Sequence, residues 1–107
     1  MNMFEKSVKF GLVASIEYSR EGIISKQIVR NNAGNVTLFS FDEGQSLSEH
    51  TISFDQIIHI LEGEANVIIG GQENILTAGE AVIMPANEPH ALKAVQKFKM
   101  ILITIKG

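Results

Sequence analysis

From Gly22 onward the chain alternates short runs of β-branched and apolar residues with clusters of turn formers. Runs of five to eight such residues, punctuated every eight to twelve, predict strands rather than helices. Gly22–Arg30 reads as a first strand, closed by the turn cluster NNAGN. Val36–Phe41 is a second, and DEGQ turns the chain into an extended SLSEHTIS. Gln56–Gly63 and Glu64–Gly71 follow. Gly70-Gly71 suits a tight hairpin, because both positions accept a positive φ without a Cβ penalty. QENILTAGE, AVIMPANEPHALKAV and KFKMILITIK complete the series. Helical periodicity is weak and confined to NMFEKSVKFGLVAS, which predicts a turn or two at most. The pattern describes an all-β sandwich or barrel.

Two strands, QIIHIL and KMILITI, are apolar on both faces. A free-standing antiparallel sheet keeps one face wet. ILITI would also recruit other chains if it were a bare edge. Both features predict that a second subunit covers the sheet, hence a homodimer, with Tyr18 in the N-terminal segment reaching toward the partner.

Composition narrows the function classes. A length of 107 residues supports one core, so the expectation is one domain over 1–107, with an arm over 1–21 and a barrel over 22–107. Net charge is −3 and no basic cluster is longer than two residues, which argues against nucleic acid. The absence of cysteine excludes disulfides, thiolate nucleophiles and Cys-ligated metals. No apolar run approaches the ~20 residues of a membrane helix, and no signal-peptide pattern is present. The expected location is the cytoplasm, with no membrane partner.

The chemistry-bearing residues cluster in two stretches. Gly44, His50, Ile52, Gln56 and Gly63 follow the spacing G-x5-H-x-H-x3-E-x6-G, with Ile52 and Gln56 at the second His and the Glu. Gly79, Pro85, Asn87, His90 and Ala94 follow G-x5-P-x-G-x2-H-x3-N, with Asn87 and Ala94 at the middle Gly and the closing Asn. Over 44–63 and 79–94 the chain resembles the cupins, the RmlC-like double-stranded β-helix or jelly-roll superfamily. It is most similar to small single-domain bacterial members of the conserved-barrel (cupin_2) type. The resemblance implies an all-β jelly-roll barrel with an inward site.

It also implies metal ligands at His50, His90 and Gln56, for a divalent transition metal such as Fe, Mn, Ni or Zn. The ligand set is depleted, however. Ile52 replaces an imidazole, and Gln56 replaces the one carboxylate that would offset a buried dication. Asp55 and Glu88 are spare carboxylates; Asp55 reaches the site only if the strand bends. His50, Ile52 and Gln56 share a parity, so they should face one side, with His59 facing the other. Ile52, Ile58, Phe39, Phe41, Phe54 and Met84 are expected to line the pocket, although each also reads as ordinary core, as does Met100. No nucleophile constellation accompanies the hydroxyls. The favoured reading is a small-molecule-binding barrel of unassigned activity. The alternatives are a metal-dependent dioxygenase or isomerase, and a non-catalytic accessory dimer.

Overall fold

The computed structural model describes residues 4–107. Nine strands follow a short arm: β1 Ile23–Asn31, β2 Gly34–Phe41, β3 Ser46–His50, β4 Asp55–Glu62, β5 Glu64–Ile69, β6 Gln72–Thr77, β7 Ala81–Met84, β8 His90–Ala94 and β9 Phe98–Ile105. They form two antiparallel sheets. One has the order β1-β2-β9-β4-β7 and the other the order β3-β8-β5-β6. Turn chemistry sets the hairpins. Gly70 and Gly71 have φ of 57° and 81° and join Ile69 to Gln72 directly across the β5–β6 ladder. Asn31 and Gly34 pair across the β1–β2 turn, where the Asn31 Oδ1 accepts from the Ala33 N–H at 2.8 Å.

The inner face of the five-stranded sheet is built in rows fixed by register. Phe41–Phe98 forms the deepest row, and Phe39–Met100–Ile60 the next. Thr37–Leu102–Ile58–Val82 comes third, and Asn35–Thr104–Gln56–Met84 fourth. The Phe41 and Phe98 rings stack with centroids 4.6 Å apart, and both are fully buried with Ile58, Ile60 and Met100. Val67, Ala65, Leu92 and Ala94 complete this core from the second sheet.

A second cluster lies on the outer face of the five-stranded sheet. Phe4 and Ile16 of the arm bury against Leu38 and Ile101, with Leu12, Ile24, Leu61 and Ile103 around them. The chain therefore covers part of its own apolar outer face, a role the sequence pattern gave to a second subunit. ILITI is likewise no edge, since β9 lies at the centre of its sheet between β2 and β4.

Side chains of the sheet hold the arm by its carbonyls. Lys26 Nζ donates to Ser15 O at 2.9 Å, Ser40 Oγ to Glu17 O at 2.7 Å, and Lys99 Nζ to Val13 O at 2.7 Å. Tyr18 donates to the Glu62 carboxylate of its own chain at 2.6 Å. Burial and that carboxylate push its hydroxyl pKa up. The expected N-terminal helix reduces to one 3₁₀ turn, Val13–Ser15; its first two residues, Asn2 and Met3, lie outside the described residues. No helix among the described residues is long and apolar enough to cross a membrane.

Candidate functional site

His50 ends β3, His90 begins β8, and the two pair directly across the ladder. Their rings meet edge to face, centroids 4.3 Å apart and planes at 65°. His50 is exposed, whereas His90 is buried. Each ring is oriented by the carbonyl two residues before it. His50 Nδ1–H donates to Ser48 O at 2.8 Å and His90 Nδ1–H to Glu88 O at 3.3 Å. A carbonyl only accepts, so this network assigns the proton of each neutral ring to Nδ1. Both Nε2 atoms keep a lone pair. Burial holds the His90 pKa below its ordinary 6.5, and neighbouring His50 pushes the same way. The bond to the Glu88 carbonyl opposes them.

A rigid loop, Pro85–Pro89, delivers His90. Asp55 Oδ1 accepts from Ala86 N–H at 2.8 Å, and Asn87 N–H donates to Ile52 O at 2.7 Å. Asn87 takes a φ of 65°, the left-handed conformation that the motif's glycine would supply. Gly70 N–H donates to Pro89 O at 2.8 Å. The Glu88 carboxylate sits where a Cβ on residue 70 would stand and would swing aside for one; the φ of 57° is what favours glycine there.

At the same end of the barrel, the other sheet carries the fourth inner row. Gln56 is buried, and its Nε2 donates to Thr104 Oγ1 at 2.9 Å. Asn35 continues the row and Thr37 stands in the next; both are half-buried. The inner surface thus grades from stacked phenylalanines at one end to amides, hydroxyls and imidazoles at the other. No charged side chain shares the inner face of β2, β9, β4 and β7 at that end. Arg30 extends the row onto edge strand β1, where it is exposed and lines a groove against the arm.

The residues singled out from sequence are distributed unequally. His50 and His90 come together, and Gln56 lies at the same end of the barrel. The shared parity of His50, Ile52 and Gln56 does not operate, because β3 stops at His50 and β4 starts at Asp55 in the other sheet. Ile52 lies in the connection between them, where its carbonyl anchors Asn87. Phe41, Ile58 and Met84 are fully packed core, and Phe39 packs against them. Phe54 does not line the interior; it is 37% exposed, with the Lys106 ammonium 5.6 Å from its ring centre. Asp55 is exposed and bound to the loop, and Glu88 is exposed at the rim. His59 pairs with Ile101 and Ala81 on the outer face, as its parity requires. Sequence reasoning passed over Asn35, Thr37 and Thr104. The alternation of GNVTLFSF and ILITI carried the signal, as polar residues at inward positions of otherwise apolar strands.

A cupin domain family model matches residues 37–106. The chain belongs to the cupin family. A conserved protein of unknown function from Streptococcus pyogenes is 30% identical, with a TM-score of 0.92 over 100% of this chain and 93% of its own. A cupin superfamily protein from Desulfitobacterium hafniense is 28% identical, with a TM-score of 0.91 over 100% and 97%. A cupin 2 conserved barrel domain protein from Leptotrichia buccalis is 36% identical, with a TM-score of 0.88 over 91% of this chain and 47% of its own. No curated protein matches the sequence.

The donor set of this cupin does not fit the metal implied by the family motif. Two imidazoles offer lone pairs, but Gln56 is a neutral amide turned to Thr104. Among the described residues no three His, Cys, Asp or Glu side chains converge. Nothing in the row supplies the negative charge that a buried dication requires.

Proposed function

We propose that this cupin binds a small, neutral, hydrogen-bonding molecule at the His50–His90 end of its barrel, without a resident metal. The carrying observation is the His50–His90 pair. Both rings use Nδ1 on backbone carbonyls, which leaves two Nε2 acceptors at one mouth. At the same end, Asn35, Thr37, Gln56 and Thr104 supply amides and hydroxyls with no net charge. Binding sites of this composition select by hydrogen bonding over an apolar floor. A ligand rich in hydroxyl or amide groups satisfies both sides, since its donors meet the imidazole nitrogens. An anion or cation would be desolvated with nothing to pair it.

The test is a thermal-shift screen of untagged protein near pH 7.5 against neutral polyols, sugars and amides beside charged counterparts. Stabilisation by neutral members, lost in His90→Phe, is expected. A near-stoichiometric bound transition metal, abolished by His50→Ala and by His90→Ala, would overturn the reading in favour of a metal-dependent dioxygenase or isomerase. A screen without any hit would favour a non-catalytic accessory role.

A further inference from the structure

A groove between the arm and edge strand β1 is built from different residues than the His50–His90 site. Its volume is about 630 Å³, within the range of small-molecule sites. One wall is the arm from Phe4 to Phe10. The Phe4 and Phe10 rings meet with centroids 4.7 Å apart, and Val8 N–H donates to Glu5 O at 3.4 Å, so the segment doubles back as a loop. Ser7 within it holds a φ of 66°. That left-handed conformation is unfavourable for serine, and such strain is concentrated where loops clasp ligands.

The other wall comes from the irregularity of β1. Between Gln27 and Val29 the register with β2 shifts by one residue. Ile28 packs in the outer-face cluster with Phe4 and Leu38, and Val29 pairs with Val36 of the same cluster. Two successive side chains thus turn to one face, as a bulge permits. Val8, Phe10 and Val29 all line the groove and are 56%, 41% and 48% exposed.

Arg30 and Lys6 supply the groove's positive charge. Both are exposed, and among the described residues neither enters an ion pair. Glu5 also lines the groove, so two cations against one carboxylate leave a single excess positive charge. We propose that this groove binds an apolar monocarboxylate, a hydrocarbon chain or ring ending in one carboxylate. The apolar body lies against Val8, Phe10 and Val29, and the carboxylate meets Arg30 and Lys6. A guanidinium presents paired N–H donors that match the two oxygens of a carboxylate. A single excess charge suits a monoanion better than a doubly charged phosphate ester. A neutral alcohol forgoes the charged contact, and an alkylammonium meets two like charges.

Isothermal titration calorimetry of the untagged protein with octanoate, at pH 7.5 and low salt, tests the assignment. Saturable binding is expected, weaker with octan-1-ol, absent with octylammonium, and falling as salt rises. Arg30→Gln should weaken octanoate binding about fivefold. Val29→Asp, at a half-exposed position, should abolish it, with folding read by circular dichroism. His90→Phe should leave it unchanged, which separates this groove from the His50–His90 site. No binding of octanoate, equal affinity for octan-1-ol, or full affinity in Arg30→Gln would overturn the proposal. So would loss of octanoate binding in His90→Phe, which would place the carboxylate at the histidines instead.

Discussion

His90 carries more of the site's behaviour than any other residue, and pH exposes it. Its folded-state pKa lies below the ordinary 6.5, chiefly because burial disfavours the imidazolium. Below 6.5 the unfolded chain therefore binds a proton that the folded chain resists. Stability linked to His90 is complete above 6.5 and is lost as pH falls through the lowered value. Asp42 and Glu80 titrate in a different window. Both carboxyls are held below their ordinary 3.8 and 4.5 by bonds from the backbone N–H groups of Glu21 and Thr77, so their contributions disappear only in stronger acid. Thermal melting from pH 7.5 to 5 should thus show a falling midpoint that flattens in His90→Gln. An unaltered slope in His90→Gln would remove the buried-imidazole account.

The arm is the element whose role changed most between sequence and structure. Its apolar residues are irregularly spaced, because they pack from extended and single-turn segments onto a sheet rather than along a helix face. Periodicity cannot reveal such a pattern. What sequence could report was the two-sided apolarity of β4 and β9, which demanded cover without naming it. The strands themselves were legible, since turn residues and alternation fix them locally. Strand order was not, and that is why β9 looked like a vulnerable edge although it lies between β2 and β4. The spacing of glycines and prolines likewise announced the loop before His90, and Asn87 adopts the expected positive φ. The arm's attachment rests on buried donors to its carbonyls, so Ser40→Ala should be costly for so small a change. It leaves the Glu17 carbonyl without its 2.7 Å partner. A loss of about 1–2 kcal/mol in urea unfolding is expected, with faster protease cleavage between the arm and β1. Unchanged cleavage would show that the apolar contacts of Phe4 and Ile16 hold the arm alone.

At the scale of the whole molecule, the barrel is graded along its axis, and the two ends should respond oppositely to substitution. At the closed end Phe41 and Phe98 stack, fully buried, over Phe39 and Met100. Removing a ring there leaves a void that neighbours cannot fill, and Phe41→Ala should cost about 3–5 kcal/mol. At the opposite end Thr37 does little for stability. Thr37 is half-buried and its hydroxyl reaches Asn35 Oδ1 only at 3.5 Å, so Thr37→Val should change stability by less than about 0.5 kcal/mol. If neutral ligands bind at this end, the same substitution removes one of their partners and shrinks the thermal shift they produce. Phe41→Leu, by contrast, should lower the melting temperature while preserving that shift. The two measurements separate a scaffold from a site within one β-barrel. Equal loss of ligand stabilisation in both variants would mean that the mouth is not an independent binding surface and that its polar row serves packing alone.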